Sequence, residues 1–267
     1  MTEPDDKKPS HGGWDWRALR YQLLGIGAAL FLWKVVSSPL FLPPQFSESF
    51  SPENAFLKLW QFLGSDDFFR HATPSLLRVG IGLGIATAVG IPVGLLTAFF
   101  ARLHQLSNIP FQFIRMTSPL AWIPLAVMAF GVGTRPVCFL ISMAAVWPII
   151  LNTSHGVKNV DPLWEKVVRI LGGNSWAVLC HAIIPTIVPD VLTGLRIALG
   201  ISWVVLVPAE MLGVSTGLGY YILDTRDRLD YGELMSAILI VGFFGYLSDL
   251  LIRILQHRFS WRGNNLA

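Results

Sequence analysis

Four ionisable side chains lie within or at the ends of long apolar runs: Arg115, Arg196, Glu210 and Asp249. Burying a charge at membrane depth costs roughly 3 kcal/mol or more, so such residues usually face a water-filled cavity or a partner. Arg115 would attract an anion, whereas Glu210 would repel one and is interpreted as a structural partner or a gate element. Arg196 lies near the end of its run and can snorkel or pair. Asp249 precedes Arg253 by one helical turn, which predicts a surface ion pair.

The sequence shows no constellation of catalytic or metal-binding residues. It has no Walker A motif, and no cluster of His, Cys and carboxylates has the spacing of a metal site. The run VGIGLGIATAVGIPVG lacks the preceding strand and the Lys-Ser or Lys-Thr of a nucleotide-binding loop. Its glycines, Gly80 with Gly84 and Gly90 with Gly94, instead predict close approach of another helix. We therefore predict a protein that is not an enzyme and holds no metal or cofactor.

The elements that position these residues are predicted to cross a membrane. The chain has 267 residues, of which 53% are hydrophobic and only 14% charged, against roughly 25% charged in soluble domains. A net charge of +3 gives no reason to expect nucleic-acid binding. Apolar runs near the length of a bilayer crossing lack the alternation of barrel strands, which predicts an all-α integral membrane protein. The six predicted spans are residues 21–38, 76–100, 113–130, 137–151, 187–212 and 234–255.

The distribution of basic residues predicts the orientation of these spans. With the N-terminus in the cytoplasm, the inside segments carry most of the Lys and Arg residues, and acidic residues dilute those outside. This arrangement predicts a cytoplasmic tail over residues 1–20, a transmembrane domain over 21–258 and a second cytoplasmic tail over 259–267. The stretch ENAFLKLWQFL between the first two spans predicts a short interfacial helix with Ser51 or Asn54 as its N-cap.

One inside segment, WEKVVRILGGNSWAVLCHAIIPTIVP, is more polar than its surroundings. Asp161 as N-cap predicts a short helix, which the glycine pair Gly172–Gly173 ends. The sequence NSWAVLCHAII predicts a second helix capped by its Asn or Ser, with a bend at Pro185 and Pro189 into the fifth span. The segment is either a loop resting on lipid headgroups or a pair of helices that docks into a groove on another protein.

Several sequence blocks resemble one family of transport proteins. Gly172 follows Leu171 and lies thirteen residues before Pro185, with a second proline at Pro189. This pattern resembles the cytoplasmic EAA loop of binding-protein-dependent ABC importer permeases of the type I fold. The blocks RMTSPLAWIPLAVMAFGVG, AVWPIILNT and LTGLRIALGISWVVLVPAEML resemble the nitrate, bicarbonate and cyanate branch, near the sulfonate and taurine permeases. The resemblance covers about residues 76–258.

The EAA motif itself departs from the family pattern. Counting six residues back from Gly172, the positions of Glu-Ala-Ala fall on Lys166, Val167 and Val168, and Glu165 stands one place early. The departure puts in doubt any salt bridge that the family ascribes to that glutamate.

The resemblance implies a fold, a set of partners and a coupling site. The fold would be the type I, MetI-like permease fold, with six transmembrane helices and cytoplasmic coupling helices. Residues 160–186, the coupling loop, would dock into separate ABC ATPase subunits, which bind the ATP and Mg. Further partners would be a second permease copy, a periplasmic or lipid-anchored substrate-binding protein and the lipids of a bacterial or cyanobacterial inner membrane. The residues expected to couple are Glu165, Lys166, Arg169, Leu171, Gly172, Gly173, Asn174, Ser175, Trp176 and Pro185.

The expected substrate is a small oxyanion: nitrate or nitrite, bicarbonate, or cyanate. Sulfonates and taurine are the alternative substrates. A secondary transporter, or an intramembrane enzyme or scaffold, is the alternative class of protein. A secondary transporter would show an inverted repeat and several midplane charges. Prolines within the spans free backbone carbonyls, while the nearby tryptophans either line the path or simply pack. The candidate pathway residues are Arg115, Pro119, Trp122, Trp147, Asn152, Trp203 and Glu210.

Overall fold

The computed structural model describes residues 16–41 and 43–260, and its regular elements within these ranges are helices. The chain divides into two compact units, residues 1–57 and 58–267. Residues 1–15 and 261–267, which belong to the predicted tails, lie outside the described residues. The helices are α1 Trp16–Val36, α2 Pro44–Ser47, α3 Pro52–Leu63, α4 Asp66–Phe99, α5 Ala101–Met116, α6 Ile123–Phe130, α7 Thr134–Lys158, α8 Pro162–Ile170, α9 Ser175–Val178, α10 Ile184–Gly213, α11 Leu218–Asp227 and α12 Tyr231–Ser260.

The smaller unit is held together by polar contacts between α1 and the chain that leads into α3. The Trp33 indole nitrogen and the Ser37 hydroxyl both donate to the Phe50 carbonyl, each over 3.0 Å. Ser51 Oγ accepts a hydrogen bond of 3.3 Å from the Asn54 amide. The prediction of a short helix over ENAFLKLWQFL with Ser51 as its cap is thus confirmed.

The core of the larger unit is formed where α7 packs between α4 and α10. Glycines on α4 leave no room for side chains: a Cβ at Gly82 would lie 2.5 Å from Ile141 of α7. A Cβ at Gly90 would lie 2.8 Å from Ile149, so side chains of α7 pack directly on the backbone of α4. Small residues at a spacing of four produce this close approach in membrane helices.

The sequence identifies only part of this glycine surface correctly. Gly90 and Gly94 both face α7, as predicted, whereas Cβ atoms at Gly80 and Gly84 would have no heavy atom within 4 Å. The prediction for Gly80 and Gly84 is wrong because the interface repeats every fourth residue in the register of Gly82. A step of two residues along a helix rotates a side chain to a different face.

Among the described residues, four helices are long and apolar enough to cross a membrane: Asp66–Phe99, Thr134–Lys158, Ser175–Gly213 and Tyr231–Arg258. The pair Ala101–Met116 and Pro119–Phe130 gives a fifth crossing if it counts as one span. The first predicted span corresponds to α1, and its membrane crossing stays a prediction.

Residues 113–130, the third predicted span, do not form a single helix. α5 ends at Met116, and a 3₁₀ turn at Pro119–Trp122 leads into α6 at an angle of 86° to α5. Thr117 and Ser118 have extended ψ angles of 129° and 128°. The ring of Pro119 disfavours a helical conformation at the residue before it, which explains the break.

The prediction that a short helix ends at Pro185 and Pro189 is also wrong. Residues Ser175–Gly213 form one continuous helix of 39 residues that contains a π-helical turn at Leu179–Ile183. Pro185 lies in the first turn of α10, directly after that wider turn. A π-turn shifts the hydrogen-bond register and so accommodates a ring that would otherwise clash with the preceding carbonyl.

We predict that the two ends of the bundle lie on opposite sides of the membrane, with the coupling loop in the cytoplasm. In a Cys180→Ser background, Ser65→Cys should react with an impermeant maleimide on intact spheroplasts. Ser175→Cys, on exposed surface, should react only after permeabilisation. The buried Cys138 needs no replacement. The opposite labelling pattern would contradict the predicted orientation.

Candidate functional site

The coupling loop begins with α8, whose N-terminus is capped as the sequence predicts. Asp161 Oδ1 accepts a hydrogen bond of 2.8 Å from the Leu163 amide, and Pro162 occupies the first helical position. On the exposed face, Arg169 and Glu165 form an ion pair of 2.8 Å one turn apart. On the side of α8 that faces the bundle, Val168 packs against a cluster of apolar residues at the start of the long helix. This packing fixes α8 against the bundle.

The elbow between α8 and α9 requires both of its glycines. Gly172 has a φ of +83°, and its amide donates to the Arg169 carbonyl over 3.0 Å. This positive φ is unfavourable for residues other than glycine, and the prediction that the glycine pair ends the helix is confirmed. A Cβ at Gly173 would approach the Val168 side chain to 2.6 Å. Asn174 then caps α9 by accepting a 2.9 Å hydrogen bond from the Ala177 amide.

The elbow presents large apolar side chains on its surface. Ile170, Leu171 and Trp176 are 83%, 81% and 69% exposed. The basic side chain of Lys166 on α8 is exposed as well. Adjacent exposed side chains of this size are unusual unless they contact a protein or a lipid.

A cavity of about 340 Å³ lies where α5 breaks. Its walls come from the end of α5, the break itself, the middle of α7 and Ile201 of α10. Three of the predicted pathway residues, Arg115, Pro119 and Trp147, line this first cavity. The kink therefore brings together residues that lie on separate elements. The complete lining is Ile114, Arg115, Thr117, Pro119, Met143, Ala144, Trp147, Pro148, Leu151 and Ile201.

A smaller second cavity of about 90 Å³ adjoins the first along α5. The two cavities share Arg115, Trp147 and Leu151. None of the residues lining either cavity is Asp or Glu. Within the described part of the chain, Arg115 has no hydrogen bond or ion pair with another residue, so its charge is available to a ligand. The second cavity is lined by Thr97, His104, Ser107, Asn108, Phe111, Gln112, Arg115, Trp147, Ile150, Leu151 and Ser154.

Three other predicted pathway residues lie outside both linings. Trp203 is buried and stacks on Phe244, with ring centroids 6.2 Å apart, and Trp122 packs against the same core. Asn152 donates from its side-chain amide to the Pro148 carbonyl over 2.8 Å. These contacts match the packing interpretation of the two tryptophans.

Glu210, the last predicted pathway residue, is fully buried at the end of the bundle opposite the coupling loop. Arg78 of α4 donates to Glu210 over 2.6 Å, and the Arg78 side chain is only 4% exposed. Ser75 also donates to the Glu210 carboxylate, at 2.8 and 2.9 Å. Of the two interpretations of Glu210, the structure supports that of a structural partner.

This buried ion pair fixes the turn between α10 and α11. The Gly219 amide donates to Glu210 over 2.9 Å, and Arg78 donates to the Thr216 carbonyl over 2.6 Å. A Cβ at Gly217, where φ is +122°, would collide with the Glu210 carboxylate. The sequence-based prediction missed Arg78 as the partner of Glu210. The polar series at positions 71, 75 and 78, on one face of an apolar helix, could have indicated it.

The Asp249 carboxylate on α12 pairs with two arginines, Arg196 and Arg253. The carboxylate lies 2.8 Å from Arg253, which confirms the predicted pair one turn apart. It also accepts a hydrogen bond of 2.5 Å from Arg196 of α10. The predicted pairing of Arg196 thus takes place across helices, and it attaches α12 to α10.

Comparison with known proteins agrees with this architecture. The family model for the binding-protein-dependent transport system inner membrane component matches residues 90–262. The chain resembles the methionine ABC transporter MetNI in inward-facing conformations, with a TM-score of 0.59 and 14% identity over 70% of this chain and 93% of that chain. At that identity, the likeness concerns the fold.

Similarity to curated proteins extends over most of the chain. The bicarbonate transport system permease protein CmpB of Synechococcus elongatus is 35% identical, over 88% of this chain and 87% of CmpB. The nitrate import permease protein NrtB of Leptolyngbya laminosa is 35% identical, over 73% and 70%. The taurine transport system permease protein TauC of Escherichia coli is 31% identical, over 94% of each chain.

The described part of the chain is a helical bundle with several helices long and apolar enough to cross a membrane. The chain belongs to the family of binding-protein-dependent transport system inner membrane components. It is an inner-membrane permease subunit of an ABC importer and not itself an enzyme.

Proposed function

We propose that this permease carries a small oxyanion, such as bicarbonate, nitrate, nitrite or cyanate, through the first cavity beside Arg115. The observation that carries the proposal is electrostatic. Arg115 is the one charged residue of the first-cavity lining, and no carboxylate opposes it there. A guanidinium presents N–H donors in a planar fork that matches the geometry of an oxyanion. The bicarbonate and nitrate relatives support the same substrate class.

The cavity supports loose selection by size and charge. Its volume of about 340 Å³ is far larger than an anion of three or four heavy atoms, given that one water occupies about 30 Å³ of liquid. Such an anion would therefore pass partly hydrated. A site that must release what it receives gains nothing from tight binding, because slow dissociation would limit turnover.

Taurine or another sulfonate is the second candidate. Apolar residues such as Ile114, Met143 and Ile201 line much of the first cavity. They would suit an organic anion with a short carbon chain beside its sulfonate. The taurine relative, matched over 94% of both chains, supports this alternative. Competition between unlabelled taurine and labelled bicarbonate for uptake separates the two substrates.

The partners follow from the coupling loop and the family. We propose that the elbow at Gly172 inserts into a groove on a separate ATPase subunit, which binds ATP and Mg. The exposed side chains Ile170, Leu171 and Trp176 support a protein groove over a headgroup surface. A second copy of the chain and a periplasmic or lipid-anchored binding protein complete the proposed importer.

Arg115→Ala should lower the rate of ATP-driven bicarbonate or nitrate uptake. A hydrogen bond to a charged group contributes about 1.5–3 kcal/mol, which corresponds to a loss of tenfold or more. Arg115→Lys should retain part of the rate. Arg102→Ala is the matched control, since Arg102 lies on the same helix but lines neither cavity. Rates for Arg115→Ala equal to those for Arg102→Ala, at equal amounts of assembled complex, would refute the role of Arg115.

A further inference from the structure

A polar stripe along α5 begins at Arg115, in the proposed substrate site, and continues through the second cavity. His104, Asn108, Gln112 and Arg115 follow one another at intervals of four, four and three residues. Side chains at this spacing lie on one face of a helix. All four line the second cavity. The stripe therefore extends from the first cavity toward the start of α5.

The stripe ends at the side of the bundle that carries the coupling loop. Lys158, the last residue of α7, has its ammonium nitrogen 3.2 Å from His104 Nε2. Only three residues separate Lys158 from α8. Ser154 of α7 lines the second cavity on the wall facing the stripe. An ion that left the first cavity in this direction would meet polar donors and no carboxylate.

An aromatic contact lies where the two cavities adjoin. Trp147 lines both cavities, and Phe111 lines the second. Their rings meet edge to face, with centroids 5.3 Å apart and an interplanar angle of 66°. The contact joins α5 to α7 beside the residues that the two cavities share. Side chains that are not locked in a packed core change rotamer quickly, so such a contact can open without unfolding either helix.

We propose that the second cavity is a separate anion-binding station through which the substrate leaves, with Phe111 and Trp147 as the constriction between the two stations. This inference rests on the proposed function. Arg115 borders both stations, but beyond it the second station offers the neutral donors of Asn108, Gln112 and Ser154. Charge-assisted hydrogen bonds are roughly twice as strong as neutral ones. The anion is thus held more weakly in the second station, which favours its release on the coupling-loop side.

The second station is tested by replacing amide side chains with carboxylates of the same shape. The complete importer, with its ATPase and binding protein, is reconstituted in proteoliposomes. Asn108→Asp and Gln112→Glu change neither shape nor size but place a carboxylate beside the anion. Because two like charges about 4 Å apart repel by roughly 1 kcal/mol even in water, each variant should lower nitrate or bicarbonate uptake about fivefold. Gln105→Glu is the control, since exposed Gln105 lies on α5 and lines neither cavity.

The constriction is tested by passive leak from the same proteoliposomes. Phe111→Ala should raise the efflux of preloaded nitrate, without ATP, several-fold above the wild type. Phe113→Ala, which removes an equal ring from the same helix outside both cavities, should leave efflux unchanged. Uptake and efflux equal to those of the two control variants would overturn the station and the constriction.

Uptake by the wild-type importer tests the proposed substrate separately from the second station. A wild-type importer that carries [³H]taurine but neither nitrate nor [¹⁴C]bicarbonate would contradict the oxyanion proposal. In that case, the charge-insertion variants measured with taurine still test the second station. Unchanged taurine uptake in Asn108→Asp and Gln112→Glu would then refute it.

Discussion

Gly172→Asp is expected to remove most ATP-driven uptake while leaving the amount of permease in the membrane unchanged. Gly172 has a φ of +83°, and a Cβ in the left-handed conformation costs roughly 1–2 kcal/mol. The added carboxylate would also lie beside the exposed apolar side chains of Ile170 and Leu171. Both effects oppose docking of the elbow in an apolar groove. Co-purification of the ATPase and uptake should be measured on the same preparation.

Gly131→Asp is the matched control for this substitution. Gly131 has a φ of +74° and, like Gly172, would have no heavy atom within 4 Å of an added Cβ. It lies after α6, outside the coupling loop. Gly131→Asp also places a side chain at a backbone position with positive φ, which strains the chain, and should retain ATPase association. Normal co-purification and normal uptake for Gly172→Asp would show that the coupling loop is not the docking site.

Arg78→Met is expected to destabilise the folded permease more than any surface substitution. Removing one partner leaves Glu210 as an uncompensated buried charge, which costs roughly 3–5 kcal/mol. The Thr216 carbonyl would lose its donor as well. Thermal unfolding of the purified protein in detergent, followed by intrinsic tryptophan fluorescence, should show a markedly lower midpoint than that of the wild type.

Two further variants separate the ion pair from a general packing effect. Arg226→Met removes an exposed arginine whose partner, Asp227, is its neighbour in sequence, and it should leave the midpoint unchanged. Glu210→Gln in the Arg78→Met background removes the orphaned charge and should recover part of the lost stability. A double variant as unstable as the sum of the two single variants would exclude coupling between these side chains.

The sequence predicts the local features of the fold well where one residue determines the backbone. Asp161 and Asn174 cap the helices of the coupling loop, and Gly172 takes the left-handed conformation. Prolines are harder to interpret. Pro119 follows a break in the helix, whereas the long helix continues through Pro185 and Pro189. Whether a helix breaks at a proline depends on the neighbouring turns and on packing, which no short stretch of sequence reveals.

The candidate site depends on tertiary contacts, and the sequence predicts it only in part. Arg115, Pro119 and Trp147 line one cavity because the 86° break places the end of α5 against α7. Trp203 lies in the core and Glu210 in the ion pair with Arg78. Hydrophobic periodicity cannot distinguish a tryptophan that packs from one that lines a cavity. Arg78 and Glu210 form a buried pair 132 residues apart in sequence, so the sequence around one residue gives no sign of the other.

We propose that this chain forms the translocation pathway of an importer that a separate ATPase drives. Uptake of [¹⁴C]bicarbonate and of nitrate into proteoliposomes should be measured with the complete complex, and then with the ATPase subunits omitted. We predict accumulation that requires ATP, the ATPase and the binding protein together. Accumulation without the ATPase, driven by a proton or sodium gradient alone, would contradict the account and identify a secondary transporter.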